Sequence, residues 1–309
     1  IRVCREYRID RTRRSPAPIS PNSLHIETAA YRTFAAEIAN TYSQAGSYVT
    51  AGIVWRFRDL SKAVVRWDMT NPRAETWVRS LSSQMVTAVV NEQKTALRDA
   101  IGAMYSEGMH PNNMVTSLVG RVGPTGARTG GIVGLNVPQS QWVTNMRGYL
   151  QTDPARALQM TKRDLRYDRT IAKAIREGKP LTKDQIEKML RGYSNKLLAL
   201  RSNTIARTET AMAVENAKYE AFRQGLEKTG IPESAVYREW HHGTWSPLER
   251  PEHVAQHMVK REGLNDPFIM ASGAMMRYPF DTALGAGADQ IINCRCSYTL
   301  NIDYSKIAR

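Results

Sequence analysis

His253 and His257 stand four residues apart, and Cys294 and Cys296 two apart, in the last quarter of a 309-residue chain. Imidazole and thiolate are the ligand types that hold a borderline-soft divalent cation. Pro251 suits the first turn of a helix, and on such a helix a spacing of four sets both imidazoles on one face. Brought together, the four side chains make a Cys2His2 set, enough for a closed structural zinc site with no open position for chemistry. The same residues also allow a metal-free arrangement, with two reduced thiols packed beside Trp240. His253 would then bond to backbone or to a carboxylate.

Other residue types offer less. His241-His242 beside Trp240 suggests a nuclease only if a carboxylate-held metal lies close. Glu239, Asp266 and Asp281 are the candidates, and no nuclease spacing links them. Adjacent histidines also point apart, in helix or strand, so at most one of the pair serves any single site. There is no Gly-x-Ser-x-Gly elbow, no Cys/His nucleophile pattern and no DNA-reading zinc-finger spacing. Glycines at 120, 123, 126, 130, 131 and 134, with Arg121 and Arg128 among them, invite a phosphate-loop reading. No Gly-Lys-Ser/Thr follows, so residues 120–138 read as a flexible loop, with contact to a partner as one use for it.

The elements that must position these residues are mostly helices. Leu24, Tyr31, Phe34 and Ile38 give residues 23–65 a helical but interrupted pattern, weakened at Gly46 and Gly52. Asn71-Pro72 is a helix start, followed by Trp77, Leu81, Met85, Val89, Leu97, Ile101 and Met104 at helical spacing. Gly108 and His110-Pro111 stop it. Gly178-Lys179-Pro180 breaks a charged helical stretch over 153–191, and Thr182 precedes Gln185 at a capping-box distance. A long helix is expected from Ser194 to about Leu226. Leu198, Ile205, Met212 and Tyr219 form one seam along it, and it reaches roughly 48 Å. Gly230-Ile231-Pro232 closes it, and shorter apolar alternations follow.

The expected fold is therefore α+β and predominantly α-helical, with long helices in the N-terminal two-thirds and a small C-terminal α+β domain. Four segments are expected: a basic, proline-containing arm at 1–22, helical regions at 23–138 and 139–231, and a compact domain at 232–309. In the arm, Arg2, Arg5, Arg8, Arg11, Arg13 and Arg14 oppose only Glu6 and Asp10, and Pro16, Pro18 and Pro21 favour an extended path. The arm reads either as a solvated tail or as an anchor that orders on DNA or a neighbouring subunit.

Across the chain 43 Lys and Arg face 29 Asp and Glu, a net charge of +14. That excess favours a polyanionic partner, and phosphate neutralisation needs only clustered cations. No run approaches the length of apolar sequence that spans a bilayer, so no membrane partner is expected. Three cysteines do not make a disulfide framework.

Two strings carry more specific information. One is Arg201-Ser202-Asn203-Thr204-Ile205-Ala206-Arg207-Thr208-Glu209-Thr210. The other runs from Arg238-Glu239-Trp240 through Arg250-Pro251-Glu252-His253, Tyr278-Pro279-Phe280 and Gly285-Ala286-Gly287 to Asn293-Cys294-Arg295-Cys296. Gly134-Leu135 through Gln141, with Asn145-Met146-Arg147 and Leu150, adds a third stretch. Over residues 115–302 the chain resembles the phage head-morphogenesis family, the minor head proteins like the F protein of phage Mu. The resemblance implies a non-enzymatic minor head protein of a tailed bacteriophage, made in the host cytoplasm and placed in the virion, inside the head near the portal vertex. Its implied partners are the portal protein or major capsid protein and double-stranded DNA held without sequence preference. Its implied role is head morphogenesis or DNA delivery. It also implies structural roles for Arg207, Glu209, Trp240, His253, Asn293 and Arg295. Two apart on a helix, Arg207 and Glu209 cannot pair with each other, and the chemistry of such residues buried at a helix–domain junction is ion pairing with other partners. Relatives often carry a Cys-x-x-Cys near the His253 position, which this chain lacks. The rival reading is a metal-dependent nuclease or toxin-type enzyme that carries such a domain, and a third is a host protein that reads DNA sequence.

Overall fold

Thr182 and Gln185 open the longest element of the chain. The Gln185 carboxamide oxygen accepts the Thr182 N–H at 2.8 Å, and the Thr182 hydroxyl accepts the Gln185 N–H at 3.3 Å. This reciprocal cap leads into an unbroken helix over Lys183–Thr229. The expected start at Ser194 is thus about three turns late. Gly192 does not interrupt the helix; it admits a close neighbour, since a Cβ there would stand 2.8 Å from the Asp164 carboxylate. Gly230 ends the helix at φ +69°, its N–H returning to the Leu226 carbonyl at 2.8 Å.

The computed structural model describes residues 7–9, 24–26, 29–81, 91–92, 95–96, 99–100, 121–122, 128–132, 134–243 and 249–307. Residues before 35 and the pairs 121–122 and 128–129 are described by backbone alone. Arg8 lies in strand β1 (Tyr7–Ile9), which pairs antiparallel with β2 (Leu24–Ile26). Arg2, Arg5, Arg11, Arg13 and Arg14 lie outside the described residues, as do Met85, Val89, Leu97, Ile101 and Met104.

The chain divides into two units: Ile1–Arg32 with Gln84–Asn203, and Thr33–Ser83 with Thr204–Arg309. The long helix gives its first part to one and its remainder to the other. In the first unit, a short pair of strands, β3 (Arg121–Val122) and β4 (Arg128–Thr129), precedes helix Val137–Thr152. Asn136 caps that helix, with Gln139 completing the box. Helices Pro154–Ala157 and Asp168–Glu177 follow, the latter ended by left-handed Gly178. Leu135, Met146, Leu150, Ile171, Leu190, Tyr193 and Leu197 form the core. The end of the glycine-rich loop is pinned to the long helix: Gly130 N–H meets Asn195 Oδ1 at 2.8 Å, and Arg201 donates to the Gly134 carbonyl at 2.9 Å and to Glu92 at 2.5 Å.

The second unit begins in helix Ala29–Gly52, followed by an extended stretch and by a helical segment at 72–81. Residues 53–66 are therefore not the helical continuation expected up to 65. Gly46 is no breaker: its missing Cβ makes room for the Trp67 ring, which a methyl would meet at 2.5 Å. Asn71 caps the next helix, its Oδ1 accepting Arg73 N–H at 3.0 Å. From Met212 the long helix is buried on nearly every side, so its polar residues need partners. Glu220 binds Arg73 at 3.0 Å, Glu215 binds Lys218 at 2.6 Å, and Asn216 joins Tyr42 to Tyr278.

Against this helix lies an antiparallel sheet in the order β6-β5-β9, from Lys260–Glu262, Val236–His241 and Ser297–Ile302. A small hairpin, β7 (Phe268–Ile269) with β8 (Met275–Met276), completes the unit. Trp55, Ala63 and Val65 share one core with Phe222, Leu226, Val236 and Tyr298. The protein is a predominantly helical α+β fold, with helices dominating its middle and the three-stranded sheet in its C-terminal region.

Candidate metal centre

Residues 294, 296 and 298 are buried while 295, 297 and 299 are exposed. The Cys-x-Cys segment therefore continues the alternation of β9, and a period of two sends both thiols to the same, inner side. Asn293 sets up this entry in the left-handed region at φ +57°, which asparagine tolerates well, and its N–H donates to Thr208 Oγ1 at 3.2 Å. Gly243 must be glycine, because a Cβ there would stand 2.4 Å from the Arg295 carbonyl oxygen.

His253 comes from the single turn Pro251–Val254. Its Nδ1 lies 3.4 Å from Cys294 Sγ and 3.6 Å from Cys296 Sγ. Ligand atoms of the three residues lie within 4.8 Å of one another, and all three residues are buried. On the other side of the ring, Nε2 meets Gln290 Oε1 at 2.8 Å. The Gln290 orientation is set in turn, since its amide nitrogen donates to Glu252 at 2.7 Å and to Asp289 at 2.8 Å. With an oxygen facing it, Nε2 carries the proton, and the Nδ1 lone pair faces the sulfurs.

The motif around His253 becomes intelligible one residue at a time. Arg250 donates to the carbonyls of Asp289 and Ile292, fastening the turn to helix Ala288–Ile291. Glu252 accepts from Ser272 N–H and from Gln290, and the Ser272 side chain, then Gln290, hold its carboxyl below the ordinary range. Trp240 packs edge-on against the His253 ring at 5.5 Å. Around the cluster stand Met212, Phe268, Met270, Met276 and Phe280.

Two reduced sulfurs this close share a proton. The Cys294 thiol is drawn well below its usual range, chiefly because the Cys296 S–H donates to its sulfur, with the Cys296 N–H adding to the effect. Cys296 is correspondingly pushed up by that bond and by burial, against the backbone N–H of Gly243. N–H groups aimed at both sulfurs are what a thiolate needs in a dry site. Two sulfurs and a bare imidazole nitrogen, oriented from behind by an amide, fit a zinc-like cation and not an oxygen-seeking one. His253, Cys294 and Cys296 could thus hold a metal ion.

His257 is not part of this group, so the expected closed Cys2His2 set is not formed and three protein ligands remain. The helical turn ends at Val254 and Met258 turns left-handed at φ +64°, so the expected four-residue helical repeat is never completed. Its ring lies instead 5.4 Å from that of His242 and 6.2 Å from that of His241, and its Nδ1 accepts the His242 N–H at 3.4 Å. His241 is engaged by Thr299 at 3.2 Å, Asp281 by Arg277 at 2.7 Å, and Asp266 faces Arg261 at 3.9 Å. Among the described residues no histidine–carboxylate metal cluster forms.

The Arg207–Glu209 expectation also changes. Arg207 is exposed, whereas Glu209 Oε2 is buried without a hydrogen-bond partner among the described residues. Thr208, between them, is the buried residue and the one that bonds Asn293. Arg238 is fully buried, and its guanidinium donates to the carbonyls of Gly263, Glu262, Asp266 and Arg277. Gln290, Glu252, Thr208 and Arg238 are the functional positions that spacing alone does not reveal. Arg295 is exposed, on the outer face of the Cys-x-Cys segment. Comparison with protein-family models, with curated proteins and with solved structures returns no match for this chain.

Proposed function

We propose that this chain is a non-enzymatic minor head protein of a tailed bacteriophage, carrying a structural zinc ion in its second unit. The observation that carries the reading is the bond from Asn293 N–H to Thr208 Oγ1 at 3.2 Å. It joins the two sequence strings on which the resemblance rests, and Arg238, Trp240, His253, Cys294 and Cys296 are buried with it. Residues 85 positions apart in the chain thus act together in one packed arrangement.

Zinc held by His253, Cys294 and Cys296 would tie the Pro251–Val254 turn to the entry of β9. Such an ion supplies folding free energy when bound. Turnover has little support at this centre. Glu252 is committed to Ser272 and Gln290, His253 is a ligand, and apolar side chains close the surroundings. The net charge of +14 suits DNA held through its phosphates without sequence reading. Portal or major capsid subunits are the protein partners, and the location is the head interior near the portal vertex.

Mass spectrometry of purified, DNA-filled particles from a phage encoding this chain tests the assignment. The protein is expected there in few copies, and its absence from such particles sinks the reading. Zinc is expected at about one equivalent in the full chain and at none in a Cys294→Ser/Cys296→Ser variant.

A further inference from the structure

Beyond Gly52 the chain forms a two-stranded ribbon. Arg56 pairs antiparallel with Lys62, Ala63 N–H donates to the Trp55 carbonyl at 3.0 Å, and Phe57 N–H donates to that of Ser61 at 2.8 Å. Side chains alternate across it. Trp55, Ala63 and Val65 are buried in the core, while Val54, Arg56, Lys62, Val64 and Arg66 are exposed. The tip adds Phe57, Arg58 and Leu60, also exposed. The ribbon is thus anchored from below and presents a basic, apolar-tipped outer face.

Four cations stand on that face against one carboxylate, Asp59. Its Oδ1 is already taken by the N–H and hydroxyl of Ser61, at 2.9 and 2.5 Å. Arg56 donates to the Leu60 carbonyl at 3.0 Å, which stiffens the tip. No ion pair engages Arg56, Arg58, Lys62 or Arg66 among the described residues. Leu60 sits at φ +65°, a backbone region that favours glycine. The chain keeps an apolar side chain at the tip despite that strain.

We propose that the ribbon, residues 54–66, is a contact for duplex DNA. Arg58, Lys62 and Arg66 neutralise backbone phosphates while Phe57 and Leu60 press into a groove. The inference rests on the DNA-binding part of the reading above and locates it in the second unit rather than in the arginine-rich arm. A two-stranded ribbon is narrow enough to enter a groove, and apolar tip residues are suited to wedging against base steps. Unpaired cations spaced along one face match a polyphosphate, which displaces counterions without reading sequence.

The test is fluorescence anisotropy of the full-length protein with a labelled duplex of mixed sequence, from about 50 to 300 mM salt. An Arg58→Gln/Lys62→Gln/Arg66→Gln variant is expected to lose about 2.7 from the slope of log K against log salt, about 0.9 per phosphate contact. Its affinity at the lowest salt is expected to fall at least about tenfold. A Phe57→Ser/Leu60→Ser variant is expected to bind several-fold more weakly with the slope unchanged. Unaltered melting temperatures in both establish that folding is intact, since these side chains are exposed. If the wild type binds duplex and the triple variant keeps both its slope and its affinity, the ribbon is not the contact, although DNA binding stands. A wild-type protein silent towards duplex at every salt overturns the ribbon and the DNA reading together. Ribbon-dependent binding to phosphatidylglycerol vesicles without duplex binding would make the partner a lipid surface and overturn it as well.

Discussion

His253 and Gln290 face each other across 2.8 Å, and this contact decides which imidazole nitrogen looks at the two sulfurs. Gln290 cannot rotate to present its amide nitrogen, because Glu252 and Asp289 already accept from that nitrogen. Replacing Gln290 by leucine removes the acceptor and leaves the tautomer unset. Zinc affinity, measured by competition with a chromophoric chelator, is expected to fall about 10- to 100-fold, the usual cost of losing a group that orients a ligand. Gln290→Glu keeps an acceptor and is expected to bind more tightly than Gln290→Leu. Equal affinity in all three proteins would leave Gln290 no positioning role.

Arg238 carries a charge into the core without a carboxylate partner; four backbone carbonyls take its place. Burial, with a smaller push from the Arg277 charge, pulls its pKa down, yet guanidinium remains charged at any ordinary pH. The fork spans the β6–β7 connection and the residue after β8, so it fixes the hairpin beside the metal centre. Lysine, a single point of donation, would leave carbonyls unpaired. Arg238→Lys is expected to cost about 3 kcal/mol or more, read as a lower urea midpoint with an unchanged m-value.

How much of this was legible in the sequence depends on the range of the interaction. The Thr182–Gln185 cap, the Asn71-Pro72 start and the Gly178 stop are local signals, and each lies where its chemistry puts it. The Cys-x-Cys pair and His253 are legible as ligand types, while the period-two alternation that sends both thiols one way shows only in the structure. His257 was misplaced because nothing local shows that the turn after Pro251 ends within four residues. Gly46 read as a weak point in a helix, and only the distant Trp67 ring explains it. The pairing of Thr208 with Asn293 has no local signature at all. Arg207 and Glu209 drew the eye as charges, while the neutral residue between them makes the contact.

Gly225 and Trp55 make a second long-range match. A Cβ on Gly225 would stand 2.1 Å from the indole ring, closer than real atoms approach. Trp55 is itself fixed, packed on Phe222 at 5.3 Å with its indole N–H on the Thr50 carbonyl at 3.0 Å. Gly225→Ala therefore overpacks a full core and is expected to destabilise by about 1–3 kcal/mol, despite alanine's better helix propensity. In a Trp55→Leu background the same change is expected to cost much less, and the difference measures the coupling. Additive effects in that cycle would show that the ring is not the obstacle.

Glu209 supplies a pH test. Burial raises its carboxyl pKa, and its buried Oε2 has no hydrogen-bond partner among the described residues. An acid whose folded pKa lies above its unfolded one binds more protons in the native state over the interval between the two. Stability therefore falls as pH rises through that interval, and the penalty is complete above the folded pKa. Glu209→Gln removes the charge while nearly keeping the shape. The variant is expected to melt higher than the wild type at pH 8 and at nearly the same temperature at pH 4, where both carry a neutral side chain. Thermal unfolding followed by circular dichroism across that range reads the difference. A variant less stable than the wild type at pH 8 would mean that the carboxylate is engaged and stabilising, as the ion-pair reading of this position expects.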